Sequence, residues 1–199
     1  DRDSRKTPQW FKDAKFGIFI HWGLYSVPAW GPKGSYAEWY LNGLNNGDTS
    51  RIRFHNNNYG SDFPYWKFID LFKAENYKPD EWADIFKRSG AKYVVLTSKH
   101  HDGFCLWPSK ESKGYNSLNG AAGRDLLGDL NASLDKIGLK SGLYYSLYEW
   151  AHPDYPENVR DYVDKYMLPQ FKDVVQRYKP SIIFSDGEWD RDSKEWKSE

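Results

Sequence analysis

The chain of 199 residues carries one cysteine, Cys105, so no intrachain disulfide is available. That sets aside disulfide-stapled scaffolds, although a core of this size needs no such bridges in any compartment. Net charge is lacking as well, with 28 basic residues against 28 acidic ones. This balance argues against a nucleic-acid partner or an anionic membrane surface. No apolar run approaches the roughly 20 residues of a membrane span. No Gly-x-Gly-x-x-Gly follows an apolar run, and no Gly-rich loop ends in Lys-Ser/Thr; the usual phosphate cradles are therefore missing. His-Glu-x-x-His and similar ligand spacings are also missing. There is no low-complexity segment or short repeat. The chain opens on Asp1 without a signal-peptide pattern, which reads as a removed leader or a shortened chain.

Aromatic residues are what the sequence has in excess: 10 Trp, 15 Tyr and 11 Phe, 18% of the chain. Aromatics fill large cores, and they also stack on the apolar faces of sugar rings. Trp22, Trp30, Trp39, Trp107, Trp150 and Trp189 all follow strand-like runs or fall in loops, a placement that favours a ligand surface.

Four apolar runs read as strands: 16–20, 93–97, 142–146 and 181–184. They are nearly continuous rather than alternating, as parallel strands covered on both faces are. Helical patterns lie between them. Pro79-Asp80-Glu81 opens one with Trp82, Ile85 and Phe86 on a face. A second runs from Asp125 to Ile137 on Leu126, Leu127, Leu130 and Leu134. A third spans 158–178, where Pro169 should kink or split it. The order β-α-β-α-β-α-β implies a parallel α/β sheet. The polar, Asn/Gly-rich stretch from Gly31 to Lys78 reads as a functional or mobile excursion after the first strand.

Each strand ends in a polar group: His21, then Lys99-His100-His101-Asp102-Gly103-Phe104, then Glu149, then Asp186. Chemistry gathered at the carboxyl ends of successive strands is the arrangement of a (β/α) barrel, and a doubly wound sheet places ligands there too. Asp186 reads either as a turn former before Gly187 or as a nucleophile or general base. If the strand persists, His100 and His101 point to opposite faces. A metal held by His21, His100, His101 and Asp102 competes with neutral imidazoles that bond hydroxyls. Glu38, beside Trp39 and Tyr40, and Glu149, beside Trp150, read either as surface carboxylates or as site groups. Cys105, between Phe104 and Leu106, reads as a buried inert thiol. Asn131-Ala132-Ser133 matches the N-glycosylation pattern. Carboxylates with aromatic platforms, and no phosphate loop or serine nucleophile, suit glycoside hydrolysis.

Several motifs in this order resemble the catalytic domain of α-L-fucosidases, glycoside hydrolase family 29. They include Phe19-Ile20-His21-Trp22-Gly23, Glu38-Trp39-Tyr40, Lys99 through Phe104, Trp107-Pro108-Ser109, Gly142 through Ser146, and Ser185-Asp186-Gly187-Glu188-Trp189. The resemblance implies a (β/α)8-like TIM barrel, of which this chain holds about the first four βα units, with the rest of the barrel and a β-sandwich outside residues 1–199. It implies a retaining α-L-fucosidase with Asp186 as nucleophile. His21, Glu38, Trp39, His100, His101 and Tyr145 would bind fucose, and Phe184 would form a stacking wall. It implies no metal and no organic cofactor, fucosylated glycans as substrate, and a lysosomal, secreted or periplasmic compartment. The general acid/base of the family lies beyond its nucleophile strand, so Glu38, Glu149 and Glu188 are the stand-ins available here. An inactive fucose-binding half-barrel, and association through open sheet edges with a second copy or with a complementary half-barrel, are the alternative expectations.

Overall fold

Four parallel strands form one sheet in the order β1-β2-β3-β4, from Gly17–Ile20, Tyr93–Lys99, Lys140–Ser146 and Ile182–Asp186. This computed structural model describes residues 6–155, 157–189 and 191–197. Consecutive strand order contains no reversal, the feature around which a doubly wound sheet is built, so the architecture is barrel-like. Registers are continuous: Gly17 pairs Tyr93, Val95 pairs Gly142, and Ser146 pairs Asp186. The one irregularity is a shift between Thr97 and Lys99 on β2.

Local chemistry explains the helices. A short α1 covers Gln9–Ala14. The stretch after β1 carries α2 (Tyr40–Asn45) and α3 (Thr49–Asn58), the latter capped by the Asp48 carboxylate on the amides of Ser50 and Arg51. Next, α4 (Pro79–Arg88) starts with proline in its first turn, acids following it and Lys87 and Arg88 at its end. In α5 (Leu126–Lys136), the Asp125 side chain accepts from the Gly128 amide. Leu126, Leu127, Leu130 and Leu134 of α5 join Val94, Leu96 and Leu143 in the core behind the sheet. The expected apolar face of α4 is only partly realised, because Ile85 is exposed while Ala83 is buried.

The helix expected over 158–178 is interrupted earlier than its proline. It consists of α6 (Val159–Tyr162), a π-turn at Val163–Met167, and α7 (Leu168–Tyr178). Pro169 sits in the first turn of α7, where its missing N–H costs least. The wide turn ends with the Leu168 amide on the Val163 carbonyl, so the disruption is absorbed one turn upstream.

The Gly31 to Lys78 stretch is a packed layer rather than a loose excursion. Tyr40 and Phe68 within it are fully buried. Arg51 donates to Asp48, to the Ser35 hydroxyl and to the Tyr36 carbonyl, while His55 bridges the Tyr40 hydroxyl and the Phe63 carbonyl. Its polar composition hid an aromatic cluster of Tyr59, Phe63, Tyr65 and Phe68. Rings at irregular spacing carry no helical or strand period, yet they bury large area once assembled. The face of the sheet opposite α5 is less covered: Phe19 and Phe184 are each nearly half exposed and meet edge to face at 5.2 Å. No described helix is long and apolar enough to cross a membrane.

Candidate active site at the carboxyl ends of the strands

Strand alternation decides which side chains meet. In parallel register Tyr144 lies beside Phe184 and Ser146 beside Asp186, so these four share one face of the sheet. Tyr144 donates its hydroxyl to Asp186 Oδ2 at 2.6 Å, and the Gly187 amide donates to Oδ1 at 2.8 Å. Both carboxylate oxygens are therefore held. Gly187 has φ +86°, and a side chain there would meet Tyr148 Cβ at 2.4 Å; the glycine permits this turn. The Tyr144 ring is itself fixed, stacked at 5.3 Å on His100 and at 5.9 Å on Phe184, with His21 against its edge at 4.8 Å.

Tyr145, expected to bind sugar, does not share this face. It is fully buried, donating to Gln170 Oε1 at 2.8 Å and facing the Met167 carbonyl on the helix side of the sheet. Its neighbour Tyr144 is the one that reaches Asp186. No signal in the sequence separates the two tyrosines: once the fold pairs Ser146 with Asp186, counting two residues back selects Tyr144.

The strand does not persist through His100 and His101, so the divergence it would impose does not arise. β2 ends at Lys99 after its register shift, and residues 100–103 form a turn closed by the Gly103 amide on the His100 carbonyl. Both imidazoles come round to one side, with centroids 4.2 Å apart, and His21 lies 5.2 Å from His100. His101 Nε2 is 3.8 Å from Asp186 Oδ2, while Nδ1 is 2.6 Å from Ser146 Oγ. Ser146 spends its own hydroxyl proton on the Tyr148 carbonyl. Its oxygen must then accept from His101 Nδ1–H, which leaves Nε2 as the lone-pair nitrogen of the neutral ring, aimed toward Asp186. Burial pushes His101 down to about 4, against the attraction of Asp186. Burial likewise lowers His100, helped by the neighbouring histidines, and lowers His21 despite Glu38 and Asp186. All three imidazoles are thus biased toward the neutral form. His100 Nδ1 is buried with no partner among the described residues.

Glu38 is half-buried in a 3₁₀ turn, Ala37–Trp39, close enough to His21 to oppose its loss of charge. Trp39 from the same turn packs on His101 at 5.7 Å, on Trp150 at 5.2 Å and on Trp189 at 6.1 Å. Of the six tryptophans expected at a ligand surface, these three cluster around His101. Trp22 packs instead on Phe72, Tyr77 and Trp82, Trp30 stacks on Phe54, and Trp107 is fully buried with its N–H on Asp173. Glu149 is not a free carboxylate: Lys99 Nζ sits 2.7 Å from Oε2, and both side chains are buried. Glu188 is exposed. Asp102 is buried, accepting from the Tyr65 hydroxyl and the Phe104 amide, and burial raises it to about 6. Among the described residues no group of three or more His, Cys, Asp and Glu is arranged to hold a metal ion. The Cys105 thiol is wholly buried and pushed up by burial. Asn131 lies within α5, and Ser133 of the same triplet is buried, donating to Asp80.

Three neutral imidazoles, a half-buried glutamate and a wall of aromatic rings around one oriented carboxylate suit a polyhydroxylated ring. The sequence profile of the α-L-fucosidase family matches residues 1–199. The chain belongs to the α-L-fucosidase family. It is 45% identical to rat tissue α-L-fucosidase and 44% identical to the α-L-fucosidase of Dictyostelium discoideum. In each case 98% of this chain is covered, against 43% and 45% of the relative. Among solved structures, Thermotoga maritima α-fucosidase in complex with fucose superposes with a TM-score of 0.86 at 43% identity, over 94% of this chain and 48% of that one. The chain therefore spans less than half the length of these relatives, and its four parallel strands with their crossover helices resemble part of a fucosidase catalytic domain.

Proposed function

We propose that this chain carries the glycone-binding and nucleophile-bearing part of a retaining α-L-fucosidase acting on fucosylated glycans. The observation that carries this reading is the double tether on Asp186, from the Tyr144 hydroxyl and the Gly187 amide, beneath three neutral histidines. In the first step an Asp186 oxygen attacks the anomeric carbon as the bond to the leaving oxygen breaks, giving a glycosyl ester. In the second, water attacks the same carbon as the ester C–O bond breaks, Asp186 leaves as carboxylate, and the proton lost by the water passes to solvent. His101 Nε2 accepts from one sugar hydroxyl, and His21, His100 and Glu38 bond others. Trp39 and Phe184 face the apolar parts of the ring.

Protonating an unactivated leaving oxygen needs a second carboxyl group about 5–5.5 Å from the nucleophile. Glu149 is withdrawn from that role by Lys99, and Glu188 is exposed. An aryl fucoside with a good leaving group bypasses the requirement in the first step. The test is incubation with such a substrate followed by intact-mass measurement. A fucosyl adduct that vanishes in Asp186→Ala supports the reading. An adduct that survives the substitution sinks the nucleophile assignment, and fucose binding with no adduct reduces the chain to a binding module.

A further inference from the structure

The turn between β2 and the site wraps around a single carboxylate. Lys99 Nζ, at the end of β2, lies 2.7 Å from Glu149 Oε2 with neither side chain open to solvent. The Tyr166 hydroxyl bonds the other oxygen at 3.2 Å, and the ammonium also sits 4.7 Å over the Tyr145 ring. Gly103 has φ +79°, and a Cβ on it would fall 2.6 Å from Glu149 Oε1. The backbone can pass only because position 103 has no side chain. One residue beyond Glu149, the Trp150 amide donates to the His101 carbonyl at 2.8 Å. The Trp150 ring then packs 5.1 Å from His101, and its indole N–H is buried with no partner among the described residues. A buried donor without a partner is costly and points to a ligand acceptor.

We propose that Lys99, Gly103 and Glu149 form a positioning clamp that holds Trp150 against His101 and so sets the wall of the sugar site. The inference rests on the glycone-site reading above and gives Lys99 and Glu149 a task other than acid/base chemistry. It also explains why a charged pair is retained behind the site. A well-packed neutral pair would serve stability as well or better, whereas removing one partner strands a buried charge.

The experiment therefore replaces both partners at once. In K99M/E149Q the buried charges leave together, and the fold is expected to persist. Amide hydrogen exchange, read residue by residue, should show the Trp150 amide exchanging at least about tenfold faster than in the unaltered protein while Val94, Val95 and Leu96 of β2 are unchanged. Titration with α-L-fucose should show affinity reduced by about tenfold or more. A folded double variant whose Trp150 amide stays as protected as before overturns the clamp. So does faster exchange at Trp150 with unchanged fucose affinity. Should the double variant not fold, the unaltered protein decides: Trp150 must exchange within about tenfold of the β2 amides, and exchange about a hundredfold faster refutes a rigid clamp. Failure of the unaltered protein to bind fucose would count against the sugar site itself, while the exchange result would still judge the clamp.

Discussion

Acidification should destabilise this protein through His101, and the size of the effect follows from its surroundings. The ring is almost wholly buried, with Nδ1–H on Ser146 Oγ and Nε2 facing Asp186. Burial holds it at about 4 in the folded chain, whereas an unfolded chain restores the ordinary 6.5. Between those two values the unfolded state binds a proton that the folded state refuses, so stability rises with pH across the window. The contribution is fully present above about pH 6.5 and is lost as pH falls toward 4. At about 1.4 kcal/mol per pH unit the gap amounts to about 3 kcal/mol. His101→Gln removes this proton while keeping a polar side chain beside Ser146. Urea denaturation of both proteins from pH 4.5 to 7.5 isolates the term, because most other titrations cancel in the difference. The stability of the unaltered protein relative to the variant should climb by about 2–3 kcal/mol over that range. A difference that stays flat within about 0.5 kcal/mol would refute the argument that burial keeps this ring neutral. The same neutrality matters for the proposed site, since protonation turns Nε2 from an acceptor into a donor.

Tyr144→Phe keeps the stacked ring and removes only the donor to Asp186. Hydrogen bonds to charged groups are worth about 1.5–3 kcal/mol, so the melting temperature should fall by about 3–12 °C, and glycosyl-enzyme formation should slow because Asp186 is no longer held in line for attack. Unchanged adduct kinetics would dismiss the tether. Asp102 gives the opposite pH sign to His101. Burial raises it to about 6, so the folded chain keeps a proton that the unfolded chain releases near 3.8, and its contribution falls as pH rises between them. Asp102→Asn should therefore gain on the unaltered protein by about 3 kcal/mol from pH 4 to 6.5, and a flat difference in urea midpoints would contradict it. Phe68→Ala should cost about 3–5 kcal/mol by thermal or urea unfolding, because the ring is fully buried among Tyr40, Tyr59 and Phe63. A loss under 1 kcal/mol would mean that the 31–78 layer is not part of the core.

Much of the fold is legible in the amino-acid sequence. Continuous apolar runs locate four parallel strands within one or two residues of their ends, although only β2 and β3 are buried along nearly their whole length and β1 and β4 stay partly exposed. Proline at the head of α4 and the leucine pattern of α5 announce those helices through local preference and period alone. Polar residues following each run locate His21, His100, His101 and Asp186, since chain order places the ends of successive strands side by side. Facing is a different matter. Tyr144 and Tyr145 are adjacent and chemically identical, and only the register between β3 and β4 assigns one to Asp186 and the other to Gln170. The double histidine converges because β2 stops at Lys99, whose ammonium bonds Glu149, fifty positions away in the chain. Glu149 and Glu38 look equivalent in sequence, each a glutamate beside tryptophan. Tertiary structure buries one against a lysine and leaves the other half-buried beside His21. Residue type and local period determine what elements form and which chemistry the chain carries. Which of those groups meet, and in which protonation state, depends on long-range packing and desolvation, which no local pattern encodes.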